Sequence, residues 1–113
     1  MELAQEALKD YISADNHKTI TVSYIVDIVS EHMGISSSDI YSKKRSSDIA
    51  NARQIVMYLA TKLTTLSTTD IGKQLSNRDH STVIHGRDKI EEDLKLNPQL
   101  QNTIDVLIKK INP

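Results

Sequence analysis

Five times along this chain a short polar residue of the kind that caps helices stands just before apolar residues at helical spacing: Thr21, Ser36, Ser67, Asp79 and Asn97. Each side-chain oxygen is placed to accept from backbone amides two or three residues on, amides that have no partner inside a helix. Thr21 opens a stripe of Val22, Ile25, Val26, Ile28, Val29 and Met33, and Gly34 supplies its stop. Ser36 and Asp39 have capping-box spacing around a short turn that buries Ile40 or Tyr41. Ser67 and Asp70 repeat that spacing ahead of Ile71 and Leu75, and Asp79 leads to Val83, Ile84, Ile90 and Leu94. Asn97-Pro98 is an N-cap and N1 pair before Leu100, Ile104, Leu107, Ile108 and Ile111. About Ser47 to Thr64, a longer helix turns Ile49, Ala52, Val56, Leu59, Ala60 and Leu63 inward. Residues 2–12 read as an amphipathic helix on Leu3, Ala4, Ala7, Leu8, Tyr11 and Ile12, and polar residues 13–18 end it. With only three Gly and two Pro, long helices are easier to build than a meander of strands. The expected fold is all-α: a compact helical bundle over residues 19–113, preceded by a linker helix and loop over 1–18.

A chain of 113 residues suits one domain with a modest core and leaves little room for a separate catalytic domain. The absence of Cys excludes disulfides and cysteine-based zinc sites, and fits the cytoplasm. No charged-then-apolar leader and no apolar run near the length of a membrane span is present, so secretion and spanning are not expected. The formal net charge of −1 hides an asymmetry. From Ser42 to Ile90 there are nine lysines and arginines against four aspartates, a net of +5, while the rest of the chain carries −6. Such a chain can turn a positive face to phosphates while its flanks stay acidic.

Two short helices joined by a three- or four-residue turn match a helix-turn-helix, here the helix through Thr68 to Leu75, the turn Ser76-Asn77-Arg78 and the helix after Asp79. In that arrangement the first helix lies across the DNA backbone, and its amides near Ser67, Thr68 and Thr69 are placed for a phosphate. The second presents Asp79, His80, Ser81 and Thr82 to base edges. Asp accepts from cytosine N4, Ser and Thr bond either partner, and a Thr methyl or His edge packs on a thymine methyl. From spacing alone, the same four residues also fit a plain capped helix.

Taken together, these stretches resemble the C-terminal DNA-binding domain of the bacterial replication initiator family DnaA. Ser76 to Gly86, SNRDHSTVIHG, is similar to the family signature of a glycine pair, Arg-Asp-His, two hydroxyl residues, Val, Leu or Ile, and His. Ser42 to Ala60, SKKRSSDIANARQIVMYLA, resembles the family's basic loop and following helix, and Ile71-Gly72-Lys73-Gln74-Leu75 a third block. The resemblance runs from about Thr19 to the C-terminus. It implies that Arg45 enters the minor groove, where narrowing at A·T-rich sequence favours a guanidinium, while Asp79, His80, Ser81 and Thr82 read the major groove. Lys43, Lys44, Arg53, Gln54, Arg78 and His85 are the implied phosphate contacts, with Ser67, Thr68 and Thr69 at the first motif helix. The implied partner is a double-stranded DnaA box in a replication origin or promoter. ATP is implied only on an ATPase domain outside this chain, to which residues before Thr19 resemble the tether. The isolated domain is expected to be a monomer, with self-assembly of a full-length initiator through other domains.

The chain departs from the family pattern at Thr69 and Ala52, where the family carries proline, at Ser76-Asn77 for the glycine pair, at Asn51 for an arginine, and at Thr61 for a lysine, with Lys62 adjacent. Fewer phosphate contacts and little change in base readout are expected. Catalysis is disfavoured: consecutive helical residues such as Asp79-His80-Ser81 point about 100° apart and cannot form a triad. His80 and His85 lack the spacing of a helical zinc pair, and there is no phosphate-binding loop of the G-x-x-x-x-G-K type. No cofactor or metal site is expected. Membrane attachment through the first helix is disfavoured because Glu2, Glu6 and Asp10 face a single lysine. The alternative is a helical protein–protein interaction module derived from a DNA-binding domain, with the acidic ends as partner surfaces.

Overall fold

The computed structural model describes residues 20–113. The helix expected over 2–12 and the linker after it lie outside the described residues. Within them the chain forms six helices and no strand: α1 Val22–Met33, α2 Ser37–Tyr41, α3 Ser47–Leu63, α4 Thr68–Gln74, α5 His80–Leu96 and α6 Pro98–Ile111. The all-α bundle expected from the capping pattern is the fold observed.

Four of the five capping residues act where the sequence places them, Asp79 being the exception. Thr21 accepts from the Tyr24 amide, Ser36 from Asp39 and Ser67 from Asp70, at 3.1, 3.2 and 3.1 Å. Gly34 closes α1 in the left-handed region at φ 68°. Asn97 Oδ1 accepts from both the Gln99 and Leu100 amides at 3.0 and 3.3 Å, with Pro98 as the first residue of α6. Asn97→Ala leaves both amides without that acceptor and is expected to cost about 1 kcal/mol. Urea unfolding checks this: the midpoint falls with the slope unchanged.

α3 is the central element. It packs against α1, α2, α4 and α5, and α6 closes the bundle against α1 and α5. Its burial is wider than one stripe: Ile49, Ala52, Ile55, Val56, Met57, Leu59 and Ala60 are all buried. Ile55 and Met57, absent from the expected stripe, are covered because neighbours approach α3 from more than one side. Leu63, expected inward, is half-buried at its end. In α2, Ile40 fills the core while Tyr41 is only half-buried. The outcome is a rigid platform, α3, with the loop 42–46 at its N-terminus and α5 against its side.

Candidate nucleic-acid interface

Between α4 and α5 the chain turns through Ser76 and Asn77, both left-handed at φ 61° and 58°. Two consecutive residues with a Cβ seldom adopt that conformation, and asparagine tolerates it better than serine. The turn is held from both sides. The Arg78 amide donates to the Gly72 carbonyl at 2.8 Å, and Ser76 Oγ donates to the Tyr41 carbonyl at 2.8 Å. Gly72 is buried beneath this turn: a Cβ there would lie 2.1 Å from the Arg78 carbonyl oxygen.

The loop 42–46 carries no apolar side chain, and Lys43, Lys44, Arg45 and Ser46 are exposed. Polar ties hold it instead. Arg53, buried on α3, donates Nε to the Ile40 carbonyl at 2.8 Å and Nη1 to Lys44 at 3.1 Å. Its Nη2 donates to the carbonyls of Asp39 and Ser42, at 3.1 and 2.8 Å. Arg78 bonds the same Ser42 carbonyl through Nη2 and the Leu75 carbonyl through Nη1. Burial, then the Arg78 and Arg45 cations, push the Arg53 pKa down from its ordinary value. Burial does the same to Arg78. Lys44 pairs with Asp39 at 3.0 Å, while no ion pair holds Lys43 or Arg45 among the described residues.

Loop and helix face each other across one open groove of about 870 Å³. It is lined by Lys43, Arg45, Arg53, Gln54, Arg78, Asp79, Thr82 and His85 among the residues expected from sequence. Four of those are cations and one is a carboxylate, so the groove suits an anionic chain. His80 and Ser81 are exposed on the first turn of α5 but do not line it. Ser67, Thr68 and Thr69 sit at the start of α4, also outside it. Tyr41, Ser76 and Asn77 line the groove without having been expected there. Burial, then the Asp27 carboxylate, raises the Tyr41 pKa, keeping its phenol a neutral donor.

Asp79 is the N-cap of α5 by its backbone, yet its carboxylate makes no capping bond. It accepts from Ser81 Oγ at 2.5 Å and lies 3.3 Å from His80 Nδ1. The Ser81 hydroxyl, with a smaller contribution from His80, holds the Asp79 carboxyl below the usual carboxylate range. The first turn therefore presents an ionised acceptor with spare lone pairs, a hydroxyl and an imidazole, all open to a partner.

A family model described as the bacterial DnaA protein helix-turn-helix matches residues 22–90, the span from α1 into α5. The chain belongs to that family. It is also 64% identical, over 98% of its length, to the chromosomal replication initiator protein DnaA of Lachnoclostridium phytofermentans. The chain spans 24% of that relative's length. Within this DnaA-family domain α4, the 76–78 turn and α5 form the helix-turn-helix, and loop 42–46 is the basic loop. Of the departures from the family pattern, Asn77 and Ser76 adopt the conformation that glycine would take most freely. Lys62, next to the absent lysine at Thr61, pairs with Glu91 of α5 at 3.4 Å and does not line the groove. The inward set of Arg53 was not readable from its neighbours, because an arginine beside a basic loop looks like part of the exposed charge. Its place four residues after Ile49 and three before Val56, both buried on α3, was the available signal.

Proposed function

We propose that this domain binds double-stranded DNA sequence-specifically at DnaA-box sites of a replication origin, with α5 in the major groove and Arg45 in the adjacent minor groove. The observation that carries the reading is the groove itself. A basic loop and the first turn of the second motif helix stand on its two sides, as the two walls astride one phosphodiester strand would. The strand between the DNA grooves then lies over Lys43, Gln54, Arg78 and His85, while Asp79, His80, Ser81 and Thr82 meet base edges. Arg53 serves differently from the phosphate contact its position suggested: four of its five N–H groups are spent on carbonyls, so it braces the loop and adds its charge from below. Lys44 reaches a phosphate by exchanging its exposed pair with Asp39, an exchange of small cost. Ser67, Thr68 and Thr69 contact the backbone from α4. The domain reads DNA and does no chemistry; nucleotide binding belongs to another part of a full-length initiator, as does self-assembly.

Arg45→Ala and His80→Ala are each expected to weaken binding by about 1–3 kcal/mol. Only the second relaxes discrimination in the half of the site read through the major groove. Lys43→Ala lowers the slope of log affinity against log salt by about one. Gel shifts on single-base-substituted duplexes, repeated over a salt series, separate the three effects; a flat slope for the unmodified domain would remove the phosphate contacts altogether.

A further inference from the structure

We propose that Arg78 and Ser76 are positioning residues that fix the distance between the minor-groove arginine and the major-groove helix, so that the domain measures the spacing between the two halves of its site. The inference rests on the two-groove reading. What it adds is a role for bonds that touch no DNA.

Two side chains of the helix-turn-helix turn reach across to the chain that carries Arg45. Ser76 Oγ donates to the Tyr41 carbonyl and Arg78 Nη2 to the Ser42 carbonyl, across 35 and 36 residues of sequence. Both acceptors are main-chain atoms, so the ties fix the path of the backbone itself. Arg53 grips the same Ser42 carbonyl from α3, making that oxygen the meeting point of the loop, the platform and the turn. The loop has no buried apolar side chain to locate it, so these bonds set where it stands. On one side, Arg45 follows Ser42 by three residues. On the other, Asp79 follows Arg78 directly. The brace therefore joins the two reading elements by short covalent routes, of at most four residues on either side. The left-handed pair Ser76-Asn77 is the strained piece of backbone that aims both side chains toward the loop.

A rigid link between two readers penalises any site whose halves are displaced. One inserted base pair shifts them by about 3.4 Å along the duplex and turns one against the other by about a tenth of a turn. The test starts from the highest-affinity duplex selected from a randomised pool by the unmodified domain, with the minor- and major-groove halves located by footprinting. A second duplex carries one base pair inserted between them. The unmodified domain is expected to prefer the first by roughly a hundredfold. Arg78→Lys keeps the charge and the phosphate attraction but not the fork that spans Leu75 and Ser42. Combined with Ser76→Ala, it is expected to lower that preference about tenfold, the equivalent of two lost hydrogen bonds. In the Ser76→Ala domain, discrimination against single-base changes inside the major-groove half stays as it was. Ser76→Ala alone, at an exposed position, gives a partial loss of the spacing preference in a folded domain. If both variants bind the two duplexes more weakly in equal proportion, the brace is only structural and the inference is overturned. If the unmodified domain selects no duplex at all, the two-groove reading falls, and the inference falls with it.

Discussion

Gly72→Ala is expected to lower the unfolding free energy by more than about 4 kcal/mol. The added methyl would stand 2.1 Å from the Arg78 carbonyl oxygen and 3.1 Å from its carbon, both backbone atoms. Retreat is blocked, because the Arg78 amide is bonded to the Gly72 carbonyl at 2.8 Å and the Leu75 amide to the same oxygen at 3.0 Å. Relief requires α4 and the turn to separate, and Val83 Cγ2 stands 3.5 Å from the added methyl. Gly34→Ala provides the internal comparison. That glycine is left-handed at φ 68° with open space around it, so alanine there costs only the conformational penalty of about 1–2 kcal/mol. Thermal unfolding of the two variants, side by side, separates close packing from backbone preference. A melting temperature for Gly72→Ala no lower than that of Gly34→Ala would contradict the packing of the turn described above.

Arg53→Ala is expected to cost about 3 kcal/mol and to release the loop 42–46. The buried guanidinium spans four carbonyls on residues 39, 40, 42 and 44, and hydrogen bonds from a charged donor contribute about 1.5–3 kcal/mol each before the cost of burying the charge is subtracted. Some of those carbonyls keep other donors, since Asp39 also accepts from Ser42, which limits the penalty. Arg53→Lys is the telling control. It keeps the charge, but one ammonium cannot reach a set of acceptors that a planar fork spans. Faster hydrogen exchange, with the largest increase at residues 42–46, and reduced stability are expected in both variants. A lysine variant as stable and as protected as the unmodified domain would mean that charge, and not the fork, holds the loop.

The helix ends were open to sequence reading because capping is local. Thr21, Ser36, Ser67 and Asn97 bond amides within three residues, and no tertiary information is needed to place them. What lay beyond reach depended on how many neighbours surround a helix. Periodicity gives α3 one apolar stripe, but Ile55 and Met57 are buried because several helices meet it at once. The same lack of tertiary information concealed Arg53, whose acceptors come from up to 14 residues away. Asp79 shows a different limit: the cap position was correct by backbone, while a closer hydroxyl and imidazole took the carboxylate. Spacing and resemblance point to the loop and the start of α5 separately; the meeting of Lys43 and Arg45 with Asp79, Thr82 and His85 across one groove is what the fold adds.

The most direct test of the central claim compares the domain's affinity for a DnaA-box duplex with that for a scrambled duplex of equal length and composition, at one fixed salt concentration near physiological. Specific binding is expected to exceed non-specific binding by about a thousandfold or more. Equal affinity for the two duplexes would contradict sequence-specific reading by α5 and Arg45.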